Sequence, residues 1–573
     1  VLRHCKEPPR DGGTPKRRMH PRLHYLGIGL LLGAHFLIPQ ACAQVPDGVS
    51  GFLQRMLADP EHPYLRNGDL PQGLDTLRAL YEKHGFAPIW QRWGNPTPRA
   101  QRLVKVLRDA EAYGLRPSDY DAGLLDAQLR ELRAAHNPPA ARRAEFDLRL
   151  SGAALRLAVD LHYGQVDPRA CGFELPAPRS DLDRIGTIER LSDTNDAKAV
   201  LAAVEPQFRH YRLLKAALAK YRRLASDTTL TALPKFAGRS VKPGGRYAGA
   251  AALRRLLIAL GDLRPGAASN DETLDDALVA GLQSFQARHG FPADGVLGGR
   301  TFAALTVPLA RRVRQIELSL ERWRWLPAFE TPPIVVNVPE FRLFAFRTTD
   351  DRESDTLRMD VIVGQSFPET QTPVFLAEMK YVVFRPYWDV PDTILQREML
   401  PEIRGNRGFL EKNHLELVRG WKDDSPVVPP TPENIEALAS GVLRLRQQPN
   451  GDNALGAIKF VLPNYHSVYL HSTPTRHLFK ESRRDFSHGC IRVSDPVALA
   501  AHVLRNAVGD WTAGKIEEAM NGAPNQRVNL SKPIQVLILY STAMATESGQ
   551  VLFFDDLYGH DERLEKLLQA RNR

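Results

Sequence analysis

One stretch, from Tyr469 to Pro496, holds most of the chemistry this sequence can do: YLHSTPTRHLFKESRRDFSHGCIRVSDP. Its cysteine, Cys490, ends the tetrad Ser487-His488-Gly489-Cys490. A thiol attacks as its thiolate, so a nucleophilic cysteine needs a base or a positive field beside it. His488 and Arg492 lie two residues to either side, and His471 closes an extended Val468-Tyr469-Leu470-His471. Backbone N–H groups around His488, Gly489 and Cys490 offer donors for an oxyanion, and Gly489 lets a substrate approach the main chain. Arg492 suits a substrate carboxylate or a thiolate; its duller role is a salt bridge to Asp495. Tyr469 shares a strand face with His471, and with Trp388 it forms a candidate wall for a bound peptide. Cys490, its neighbouring histidines and Arg492 together make a nucleophile, a base and an anion-binding set within thirty residues.

Histidines 466, 471, 477 and 488 with Cys490 also invite a metal reading. Zinc sites favour tight pairs such as C-x-x-C or H-x-x-x-H, and neither spacing occurs in the stretch, so no metal and no cofactor are expected. His466 and His477 read as surface residues.

The His471…Ser487-His488-Gly489-Cys490…Arg492 pattern resembles the signature of the L,D-transpeptidases, the YkuD-type catalytic domain. The larger, YcbB-like periplasmic members with a peptidoglycan-binding module are the nearest in layout. The resemblance implies Cys490 as nucleophile and His471, not His488, as general acid/base. Ser487, His488, Gly489 and Arg492 then support the loop and the oxyanion. It further implies a tetrapeptide donor that loses D-alanine, crosslinks between diaminopimelate-type residues, and acylation by carbapenem-type β-lactams. Water as acceptor would make a carboxypeptidase or endopeptidase, and a lipoprotein lysine an anchoring enzyme. A noncatalytic wall-binding protein is the alternative from another class. Expected partners are peptidoglycan stem peptides and glycan.

At 573 residues the chain exceeds one ordinary core, and its 43% hydrophobic and 25% charged content is that of globular domains. The net charge of +10 suits anionic polymer in general, and no nucleic-acid motif accompanies it. Residues 1–43 read as leader and signal peptide: basic residues to Arg18, an apolar run from Leu26 to Ile38, then Ala41-Cys42-Ala43. Export to the periplasm is expected, with membrane contact only through that segment. Cys5 and Cys42 would leave with it, and Cys171 and Cys490 are expected to stay unpaired, since a bridge would abolish the nucleophile.

The fold class expected is multidomain α+β. Helical periodicity over 44–228 (Leu74, Leu77, Leu80; Leu103, Leu107; Leu148, Leu155) gives a scaffold domain. Leu80-Tyr81 through Ile89-Trp90 resembles the scaffold of the larger family members. Residues 229–249 read as a linker. FQARHGFPADGVLGGRTFAAL, within 250–310, resembles the small three-helix peptidoglycan-binding module, with a spacer as the plainer reading. Residues 311–332 predict a connecting helix. From Ile334 the period switches to strands, giving a β-rich catalytic domain over 333–560, and 561–573 reads as a tail. Residues 393–447 interrupt the strands with helical pieces, and by resemblance they form a capping insertion over the site.

Overall fold

The computed structural model describes residues 48–573 except 60, 62–71, 177–180, 237, 267–271, 349–351, 407, 523 and 572–573. The leader, the signal-peptide segment, Cys5 and Cys42 lie outside the described residues. Among the described residues, no helix is long and apolar enough to cross a membrane.

The scaffold is helical. Its centre is Ala140–Tyr163, a helix buried on nearly every side by Gln72–Lys83, Pro98–Arg108, Ala122–Ala134, Arg184–Asp193 and Ala197–Val204. A helix buried all round must satisfy whatever polar groups it carries. Asp147 does so by accepting from the Tyr81 hydroxyl at 2.8 Å, from the backbone N–H groups of Ile89 and Trp90 at 2.8 and 2.9 Å, and from Gln91 at 3.0 Å. That one carboxylate pins the Leu80-to-Trp90 segment.

The small module holds helices Ala250–Leu260, Asp276–Arg288 and Gly299–Leu305. The stretch read as a linker is part of it. Leu233, Val241 and Tyr247 are buried in its core, and Ser240–Val241 pairs with Leu297–Gly298. Gly295, at φ +68, turns the chain between the second and third helices.

The connecting helix is Leu309–Arg324, and it is more than a tether. Leu318, Ser319, Leu320, Glu321, Arg322, Trp323 and Arg324 are all buried. Arg324 bonds the Tyr113 carbonyl of the scaffold, and Glu321 accepts from the N–H groups of Gln165 and Val166. Arg322 pairs with Asp561 of the last helix, and the Ser319 hydroxyl accepts from Ala543 N–H. Scaffold, module and catalytic domain therefore share this helix as a common wall.

The catalytic domain is a nine-stranded sheet that closes on itself. In spatial order its strands are Asp485–Ser487, Leu357–Gly364, Ile491–Val493, Leu470–His471, Ile458–Val461, Leu376–Phe384, Gln526–Leu539, Ile334–Asn337 and Arg342–Ala345, the last also pairing with Leu357–Gly364. Alternation along each strand sends Ile458, Phe460, Leu470, Ile491, Val493, Val382 and Phe384 into the core. Their neighbours in sequence, Lys459, His471, Arg492 and Val383, must then point outward.

Two expectations need correction here. The segment 561–573 is not a tail. His560–Ala570 is a helix whose Leu564 and Leu568 are buried in the catalytic core, and its Arg571 neighbour bonds Asp160 at 2.8 Å. The insertion, in turn, adds strands to its helices. Leu415–Val418, Val427–Val428 and Arg444–Gln447 join Trp388–Asp389 in a four-stranded sheet. Ile394, Leu400, Ile403, Leu417, Leu438 and Leu445 give the insertion a core of its own.

Candidate active site

The cysteine sits at a bend between two short strands, Asp485–Ser487 and Ile491–Val493. Gly489 has φ +114, a left-handed conformation that a side chain would strain. Buried Ser487 braces the bend, since its hydroxyl donates to the Cys490 carbonyl at 2.5 Å and accepts from Gly489 N–H at 3.1 Å. Thr372 braces it from outside. Its hydroxyl donates to the Gly489 carbonyl at 2.8 Å and accepts from Gly364 N–H at 2.8 Å. Because Gly489 N–H is engaged, the N–H groups of His488 and Cys490 are the remaining oxyanion candidates on this loop.

Parallel pairing sets Leu470 beside Ile491 and His471 beside Arg492. One step back, Tyr469 lies beside Cys490, and its carbonyl accepts from Ile491 N–H at 3.0 Å. Tyr469, His471, Cys490 and Arg492 thus share the outer face of the sheet. The sulfur is not bonded to His471. It donates to the Ser467 carbonyl at 3.8 Å, and Tyr469 is the neighbour that most favours its thiolate. Ser467 itself has φ +55, unusual for a residue with a side chain. Of the extended Val468-Tyr469-Leu470-His471, only Leu470–His471 pairs as a strand.

His471 is 4% exposed. Its Nδ1 lies 2.6 Å from the Ser472 carbonyl, which places a proton on Nδ1 and leaves Nε2 as acceptor in the neutral ring. Burial, with the Arg492 and Lys459 charges, holds its pKa down to about 3 against the favourable carbonyls of Ser472 and Leu455. The imidazole is therefore neutral at pH 7. The ring of Tyr469 meets it edge-on at 5.7 Å.

Burial pushes the Cys490 thiol up, while the Tyr469 hydrogen bonds, Lys459 and Arg492 pull it back. Arg492 donates to the Thr475 hydroxyl at 3.3 Å. It forms no salt bridge to Asp495, whose carboxylate caps the following helix at Ala498 N–H, 2.9 Å away. Cys171 and Cys490 are both free thiols. Burial drives the Cys171 thiol up to about 11, so it is inert where Cys490 is assisted.

The insertion reaches this region through Glu398 and Arg397. Burial holds the Tyr469 hydroxyl well above its ordinary pKa, and Trp388 acts on it in the opposite sense. His488 points away from the sulfur to the insertion, with Nε2 2.9 Å from Glu398. His477 is exposed, and His466 lies 3.0 Å from Glu174. Lys459, Thr372 and Ser467 were not singled out by the sequence, because only the closed sheet brings them to the cysteine.

Family comparisons agree with this layout. Residues 75–218 match a family model described as a scaffold domain. Residues 246–305 match one described as "Putative peptidoglycan binding domain", and 332–517 one described as L,D-transpeptidase catalytic domain. Over 255 residues the chain is 29% identical to the "Putative L,D-transpeptidase" of Haemophilus influenzae, an alignment covering 44% of this chain and 49% of that protein. The chain thus spans about half the length of that relative. Matches to a scaffold domain, a peptidoglycan-binding domain and an L,D-transpeptidase catalytic domain thus follow one another along this chain.

Proposed function

We propose that the chain crosslinks peptidoglycan by acyl transfer through a thioester on Cys490. The sulfur adds to the carbonyl between the diamino acid and the terminal D-alanine of a tetrapeptide stem. The C–N bond breaks, D-alanine leaves with a proton, and the thioester remains. The amine of a second stem then displaces the sulfur, closing a bond between two diaminopimelate-type residues, and the thiol is restored. Nε2 of His471 is the proton carrier in both halves. The N–H groups of His488 and Cys490 receive the oxyanion, and Tyr469 and Trp388 wall the peptide.

The observation carrying this reading is the shared outer face of Tyr469, His471, Cys490 and Arg492, with the sulfur at a braced left-handed bend. A neutral imidazole fits a proton acceptor, not one half of a resting ion pair. Placement in the periplasm, grip of glycan by the small module, and acylation by carbapenem-type β-lactams belong to the same proposal. Incubation with tetrapeptide stems and mass analysis of the products tests it. Crosslinked dimers with released D-alanine are expected. Tripeptides without dimers would make water the acceptor, and unchanged stems would remove the activity.

A further inference from the structure

The sheet register sets a row of charged side chains beside the cysteine. Arg527 pairs with Val383, Val383 with Lys459, Lys459 with His471, and His471 with Arg492. Directly paired residues point to the same face, so Arg527, Lys459 and Arg492 share the face that holds the sulfur. Neighbouring strands are about 4.8 Å apart, which puts Lys459 and Arg492 one strand to either side of His471.

Lys459 is the member with no evident structural purpose. Its ammonium rests on the Tyr469 ring, 3.8 Å from the centroid. Among the described residues, neither Lys459 nor Arg492 makes an ion pair with a carboxylate, and Arg492 Nε is buried without a partner. Burying a cation is costly unless an anion answers it. Asp423, an exposed residue of the insertion, acts on Lys459 from a distance. The anion this face can generate for itself is the Cys490 thiolate.

Resting on Cys490 as the nucleophile, we propose that Lys459 is a positioning residue for it. The ammonium holds the Tyr469 ring so that its hydroxyl meets the sulfur, and it supplies positive charge that the neutral His471 does not. The groups facing the sulfur are Tyr469 and His471 from one strand, Arg492 from a second and Lys459 from a third. Asp423 comes from the insertion, and Trp388 from the strand that its sheet joins. Loss of the Lys459 charge therefore weakens the thiolate directly and loosens Tyr469 as well.

The test is the pH dependence of iodoacetamide alkylation of Cys490 in the full chain, read by peptide mass so that Cys171 is counted apart. Lys459→Met is expected to slow alkylation at pH 7 about tenfold and to raise its midpoint by about one pH unit. Lys459→Arg, which conserves the charge, is expected to stay within about threefold of the parent, about half a unit of midpoint at most. An unchanged midpoint in Lys459→Met, or equal impairment in Lys459→Arg, overturns the inference. Where Lys459→Met does not fold, Tyr469→Phe carries the test, because it keeps the ring and removes the hydroxyl. A raised midpoint supports the linkage and an unmoved one removes it. A parent protein whose Cys490 is no more reactive than an unfolded-chain thiol would sink the nucleophile reading itself. A reactive parent with an indifferent Lys459→Met sinks only the lysine.

Discussion

His488 Nε2 lies 2.9 Å from Glu398 Oε1, joining the loop of the cysteine to the insertion. A second bridge runs beside it, from Arg397 to Glu369. Both are solvent-exposed, and exposed pairs are worth about 0–1 kcal/mol. Glu398→Gln should leave the unfolding midpoint within about 1 °C, since a few tenths of a kcal/mol is all it removes. Amide exchange over 392–412 should rise about two- to fivefold by the same arithmetic. Exchange unchanged there would show that the bridge does not hold the insertion in place.

The bend at Gly489 predicts a larger effect. A non-glycine residue held at φ +114 costs on the order of 1–3 kcal/mol. A Cβ there would stand 3.5 Å from the Gln371 carbonyl, so space is not the obstacle. Gly489→Ala should therefore fold with reduced stability and displace the sulfur, cutting acylation about 100-fold or more. Thermal unfolding and β-lactam adduct mass check the two halves separately.

Thr372 makes two buried hydrogen bonds, to Gly364 N–H and to the Gly489 carbonyl. Thr372→Val is nearly isosteric but leaves both partners unmet, at a cost of about 1–3 kcal/mol each at most. Lower stability with slower Cys490 alkylation is expected. Thr372→Ser, which retains the hydroxyl, should recover most of both.

His471 makes a prediction about pH. Its folded pKa of about 3 lies below the ordinary 6.5, so below 6.5 the unfolded chain binds a proton that the folded chain refuses. Its contribution to stability is complete above about 6.5 and is lost as pH falls toward 3. His210 and His560, each held down to about 4 by burial, act in the same sense. Unfolding midpoints should fall between pH 7 and 4, and His471→Asn should fall less steeply over the same range. Acylation, if His471 works as a neutral base, should show no acid limb near 6.5.

Removal of 560–573 should cripple the catalytic domain. Leu564 and Leu568 are buried in its core, and each large-to-nothing change there costs about 2–5 kcal/mol. Soluble, cooperatively folding truncated protein would contradict that.

The cysteine and its histidine were readable because their loop and strand are nearly contiguous in sequence. The strand switch at Ile334 and the helices of the scaffold were readable from their periods. Lys459, Thr372 and Ser467 were not, because a closed sheet brings them to Cys490 and no local spacing marks that closure. The strands of the insertion are two to four residues long, too short for alternation to stand out from charge. Val241 and Tyr247 were lost among turn residues, although both are core. In the last helix, charged residues on the outer side masked Leu564 and Leu568.

The second half of Leu309–Arg324, from Leu318 to Arg324, is wholly buried. A hinge needs a surface that can slide or a joint that can bend, and this helix offers neither to the three parts that enclose it. Whatever the small module takes hold of is consequently kept at a set span and bearing from the sulfur.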